Sequence, residues 1–206
     1  MTCVPANYAS FSDPDLNFCK DLIRYVLIGY CSKLNWQPWE MYRNSDRCYF
    51  TPIVELALKE YLDVSEKNCF FFPLLKFMQG KNHYVAHKIL CKTFRRVLFS
   101  KPFCFELFFS YLCSVSKSAT YACSASPEMV FKVSNRSIYE TIARIRQLGI
   151  LTTSFWTEFA RRCEHELITG VLWESDYISD FLRSAFEGGY SENKYHSKME
   201  GTQASS

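Results

Sequence analysis

A chain of 206 residues, 48% hydrophobic and 17% aromatic, can bury one sizeable core, which excludes extended disorder. Its formal net charge of +3 is too mild to imply a binding mode dominated by phosphate neutralisation. Seven glycines, at 29, 80, 149, 170, 188, 189 and 201, allow neither G-x-G-x-x-G nor G-x-x-x-x-G-K-[ST]. With seven prolines they also supply too few breakers for a many-stranded sandwich, so an all-α domain is expected.

The N-terminus, Met1 to Pro5, has neither a basic segment nor an apolar one, so no signal peptide is read there. Three helix starts follow, each a capping residue before proline: Asp13-Pro14, Thr51-Pro52 and Ser126-Pro127. After the first, Leu16, Cys19, Ile23, Val26, Leu27, Tyr30 and Leu34 recur at helical spacing, with Lys20, Asp21 and Arg24 on the other side. Residues 36 to 48 are aperiodic and read as a loop. From Thr51, the stripe Val54, Leu58, Tyr61 and Leu62 opposes Glu55, Lys59 and Glu60. A short apolar helix over 70–78 should end near Gly80, and a longer one, basic on one side, covers 83–99. Ser100-Lys101-Pro102 breaks the chain before the run 103–115, which is apolar nearly all round and belongs in the centre of a globule. That run is too short for a bilayer span, and Lys117 is expected to close it.

Further helices carry Ile138, Ile142 and Ile145, then Phe155, Phe159, Cys163 and Leu167, then the segment 173–186, closed by Gly188-Gly189. The expectation is a single domain over 1–190, with about eight helices around one hydrophobic helix, and a polar, disordered tail over 191–206. The ten cysteines lie mostly inside apolar runs without paired spacing and are read as reduced, buried thiols in a cytoplasmic protein.

His83, His87 and Cys91 have a one-face helical spacing that metals use, but no fourth ligand is in register. Cys163-Glu164-His165 cannot pair a nucleophile with a base, because adjacent helical side chains point apart. No catalytic set, cofactor, metal site or small-molecule substrate is therefore expected. Lys81, Lys88, Lys92, Arg95, Arg96 and Lys101, interleaved with Tyr84, Phe94 and Phe99, form a basic stripe. It reads as a solvated helix face, as a nucleic-acid-binding surface for duplex or single strand, or as the charged rim of a groove that accepts an acidic amphipathic helix.

An all-α globule around one apolar helix resembles the Bcl-2 family of apoptosis regulators. The run 21–30, followed by Trp36, looks like the family's first helix and fourth homology motif. Val54, Leu58, Tyr61 and Asp63 resemble its third motif, whose core is Leu, four residues, then Asp. The runs 89–95 and 105–111 are similar to the first homology region leading into the central helix, and 173–182 to a degenerate second motif. Where the family has Asn-Trp-Gly-Arg, this chain has Ser100-Lys101-Pro102-Phe103 and no arginine.

The resemblance implies a pro-survival protein whose surface groove sequesters the amphipathic helices of pro-apoptotic relatives, both Bak/Bax-like and BH-only types. The implied lining is Phe72, Leu75, Ile89, Thr93, Phe105, Phe108 and Tyr111, with Lys92, Arg96 or Lys101 meeting the ligand's aspartate. A lysine there lacks the planar fork of arginine and would hold the carboxylate less exactingly. Direction is read from the internal third motif, where bulky Leu62 precedes Asp63 and polar Ser65 takes the fourth apolar position, which weakens insertion into another protein's groove. The alternatives are a Bak-like pore-forming effector and, in a different class, a helical nucleic-acid-binding protein using the 81–101 stripe; under the leading reading no nucleic acid is expected. The place of action is the cytoplasm, or the mitochondrial outer membrane where a C-terminal anchor accompanies the chain.

Overall fold

The computed structural model describes residues 13–30, 36, 49–67, 70–124, 126–170 and 177–190. Those residues form eight α-helices and no strand: α1 (Pro14–Tyr30), α2 (Pro52–Lys67), α3 (Phe72–Met78), α4 (His83–Phe99), α5 (Phe105–Ala122), α6 (Pro127–Gln147), α7 (Phe155–Thr169) and α8 (Tyr177–Tyr190). The expected tail over 191–206 and most of the 36–48 loop lie outside the described residues, as do Leu34 and 173–176.

The all-apolar run does occupy the centre. Helix α5 packs against α1, α2, α4, α6 and α8, and every residue from Leu107 to Ala119 is buried. It continues past Lys117, which does not close the helix. That lysine is itself buried, its ammonium lying 5.5 Å from the Tyr30 ring centre and 5.4 Å from that of Tyr121, a cation–π setting that offsets part of its desolvation.

The caps follow local chemistry at two of the three proline starts. Asp13 Oδ1 accepts from the Asp15 and Leu16 amides at 3.0 and 3.4 Å, and Thr51 Oγ1 accepts from Val54 N at 3.5 Å. Ser126 makes no side-chain cap bond, so Pro127 alone marks the start of α6. Gly80 and Gly170 take positive φ at the ends of α3 and α7, the backbone state that favours glycine. Gly188 and Gly189 lie inside α8, which starts only at Tyr177.

Polar groups enter the core where periodicity expects solvent. In α1, Asp15 is buried and Leu16 only half so. The Asp15 carboxylate pairs with Arg146 of α6 and accepts from Trp156 Nε1 of α7 at 3.1 Å, so one side chain ties three helices. Asp21, expected on the polar face, is also buried and accepts from Arg24 at 2.5 Å. Cysteines 19, 91, 104, 113 and 163 are free. Cys123 is disulfide-bonded, a departure from the reading of all ten as reduced thiols.

Replacing Asp15 with alanine should cost about 2 kcal/mol, chiefly because the buried Trp156 N–H loses its acceptor. The Arg146 guanidinium is half-exposed and can return to water. The measurement is urea denaturation, with a lower midpoint at unchanged slope expected.

Candidate functional site

Large apolar side chains left in solvent concentrate on α3 and α4. Phe72 is 62% exposed, Leu75 48%, Val85 50% and Ile89 46%, and the two helices pack together. On α4 this follows from spacing. Ala86, Leu90, Phe94 and Val97 turn into the core, which leaves Val85 and Ile89 on the outer face with Lys92 and Arg96 one and two turns beyond them. Beside them α8 lies along the junction of α3, α4 and α5. It buries Phe181, Leu182 and Ala185, with Phe181 5.9 Å from Phe94 and Phe186 5.7 Å from Phe77, ring centre to ring centre.

The expected groove lining is divided by this arrangement. Phe72 and Leu75 are exposed on α3, and Ile89 is exposed and Thr93 half-buried on α4. The three α5 residues do not join them. Phe105, Phe108 and Tyr111 succeed one another at three-residue intervals and so form one stripe, which faces α7 and α6. Phe105 packs on Phe155 at 5.2 Å, and Phe108 on Phe155 at 5.8 Å and Phe159 at 5.5 Å. Tyr111 donates to Ser137 O at 3.1 Å and accepts from Thr141 Oγ1 at 2.9 Å. Phe108 and Tyr111 are fully buried and cannot line a surface groove in this arrangement. Burial pushes the Tyr111 hydroxyl well above the ordinary tyrosine range. Of the basic partners, Lys92, Arg96 and Lys101 are all exposed, but Lys92 and Arg96 line a cleft against α6.

The internal third motif is folded inward. Val54, Leu58 and Tyr61 are buried, as are Leu62 and Ser65. Asp63 stays at the surface, accepting from Lys59 Nζ and Tyr30 Oη at 2.8 Å each. Those two donors hold its carboxyl below the usual range against the opposing effect of partial burial.

Of the residues weighed for metal or nucleophile chemistry, His87, Cys91 and Cys163 are buried, whereas Glu164 and His165 are exposed. His87 is fully buried between Ser118 Oγ, 2.9 Å from Nδ1, and Ser134 Oγ, 2.8 Å from Nε2, with Cys91 Sγ 3.5 Å from Nε2. The serine pair was not legible in the sequence, since it comes from α5 and α6, 31 and 47 residues away. Burial pushes the Cys91 thiol up to about 12 and the Cys163 thiol higher still, so neither is a ready thiolate. Among the described residues no cluster of His, Cys, Asp and Glu could hold a metal ion, and no helix is long and apolar enough to cross a membrane.

No family profile, curated protein or solved structure matches the chain. The reading therefore rests on its own geometry.

Desolvation lowers the His87 imidazole from its ordinary 6.5 to about 4. Each serine also lies within hydrogen-bonding reach of a carbonyl in its own helix, Val115 O and Val130 O, at 2.9 Å. A neutral ring donates through one nitrogen only, so one serine turns its hydroxyl toward the other nitrogen. Between pH 6.5 and 4 the unfolded chain binds a proton at His87 that the fold does not, so the stability contributed by the neutral ring is complete above about 6.5 and is lost as the pH falls toward 4, by ~3 kcal/mol in all. Urea denaturation of the wild type and of His87→Gln across this range should show that the variant lacks this component of acid sensitivity.

Proposed function

We propose that the protein is a non-enzymatic, pro-survival regulator of the Bcl-2 type, which captures the amphipathic third-motif helices of pro-death proteins. The observation that carries the reading is the exposure of the apolar side chains Phe72, Leu75, Val85 and Ile89 on consecutive helices of an all-α bundle. A solvated amphipathic helix presents apolar residues at three- and four-residue spacing and matches such a surface. Burying about four such side chains offers roughly 6–12 kcal/mol before ordering costs. The order of elements supports the family likeness, with a long first helix, a third-motif-like second helix and a buried apolar fifth.

The direction of action is argued from α2. Its apolar face is committed to the core, with Leu58, Tyr61 and Leu62 fully buried. Donating this helix to a neighbour would strip the bundle of a whole layer of contacts, whereas receiving a helix leaves that layer in place. Phe72, Leu75 and Ile89 are the expected contacts on the receiving side, and Lys92, Arg96 or Lys101 the cations for the ligand's aspartate.

Calorimetric titration with a panel of third-motif helices should give submicromolar binding that is lost when the ligand's Leu and Asp anchors are replaced. Phe72→Ala with Ile89→Ala should weaken binding at least tenfold, each truncation removing up to roughly 2 kcal/mol of apolar burial. Both side chains stand in solvent, so the thermal midpoint should hold within a few degrees. Silence from every helix, with the protein folded, rejects the reading. Helix-triggered release of vesicle contents by the purified protein would reassign it to the pore-forming direction.

A further inference from the structure

A second surface lies between α4 and α6. Two adjoining hollows of about 500 Å³ and 590 Å³ share Lys92, Arg95 and Glu140 and so form one cleft. One wall is α4, a 17-residue helix without a single Asp or Glu, which contributes Lys88, Lys92, Arg95 and Arg96. The facing wall is α6, which contributes Lys132, Arg136 and Arg144 at four- and eight-residue intervals along one face. Among the described residues, seven basic side chains line the cleft and Glu140 is the acidic one. Glu140 is engaged by Arg95 at 2.5 Å and Arg136 at 2.7 Å, which fixes two guanidinium groups on opposite walls. Half-buried Tyr84 stands at one end of the cleft and half-buried Phe99 at the other, roughly 22 Å apart along α4 at 1.5 Å per residue.

Charge of one sign gathered on two facing walls holds like charges near one another and is relieved by a polyanion lying between them. Helices packed about 8–10 Å apart leave a furrow that one extended chain can follow along its length. Rings at the two ends offer stacking platforms that an acidic peptide does not use but nucleobases do. We propose that the α4–α6 cleft binds single-stranded nucleic acid, with the phosphodiester backbone between the two basic walls and bases stacked on Tyr84 and Phe99. Nothing in this assignment depends on capture of amphipathic helices at the α3–α4 surface.

The test is fluorescence anisotropy with a labelled mixed-sequence oligonucleotide of about 12 residues, inside the usual site-size range, titrated with the full chain between low and physiological salt. Binding is expected at low salt, with log affinity falling against log salt at a slope near −3, from about four phosphates at roughly −0.7 each. Lys88→Glu with Arg144→Glu, one exposed residue on each wall, should weaken it at least tenfold. The control pair Lys76→Glu with Lys81→Glu, exposed elsewhere, should change it less than twofold, and circular dichroism should confirm that both variants are folded. Tighter binding of the same sequence as a duplex would overturn the proposal. So would binding indifferent to Lys88 and Arg144, no binding at low salt, or binding of phosphatidylserine vesicles, lost in the cleft variant, with no binding of the oligonucleotide.

Discussion

Burial of α5 on all sides is the constraint from which the rest of the architecture follows. An 18-residue helix with apolar side chains around its whole circumference must be surrounded, and a single sheet or a pair of helices cannot do that. Helices α1, α2, α4, α6 and α8 pack along it and α7 covers its first turns, with apolar stripes such as Ile138, Ile142 and Ile145 from α6, Leu90, Phe94 and Val97 from α4, and Phe155 and Phe159 from α7. Their remaining faces are left to solvent, which is why function is to be sought on the outer surfaces of α3, α4 and α6 rather than in an internal cavity.

Complete burial has a polar cost, because α5 also carries Ser110, Ser114, Ser116, Lys117 and Ser118 into the core. Ser110 and Ser118 donate to carbonyls of their own helix, Glu106 O and Val115 O, which removes their need for partners elsewhere. Ser118 also meets His87, so the imidazole links α4 to α5 and, through Ser134, to α6. Asp15 performs the corresponding service between α1, α6 and α7. The bundle is thus fixed by two kinds of contact, broad apolar layers that tolerate sliding and a few directional groups that do not.

Amphipathic period and breakers made the helices legible. The bounds of α4 are those expected from 83–99, and α1, α2 and α6 begin at their prolines. What periodicity could not supply was partnership. It places Phe105, Phe108 and Tyr111 on one stripe of α5, but not whether that stripe faces α3 and α4 or α6 and α7; contacts more than twenty residues away decide this. Lys117 and Asp21 were assigned to helix end and solvent on charge alone, yet Tyr30 and Tyr121 in one case and Arg24 in the other make burial tolerable. The basic residues of α4 were visible as a stripe, whereas those of α6 are spread thinly through 132–144 and gain meaning only when the fold sets them opposite.

Helix α4 therefore carries two surfaces with opposite chemistry on a single cylinder. At 100° per residue, Ile89 falls toward α3 and α8, Lys88 and Arg95 toward α6, and Lys92, Val85 and Arg96 on the ridge between. The absence of any acid from α4 cannot be explained by its own stability, since a carboxylate in the first turn would favour the helix dipole and could pair with the lysines four residues on. A carboxylate on either outer face would weaken whatever anion approaches it, whether the aspartate of a captured helix or a phosphate in the cleft. Lys92 and Arg96 stand where both approaches converge, so occupation of one surface alters the charge met by a ligand at the other, and the two ligands, both anionic at this ridge, would oppose each other's binding.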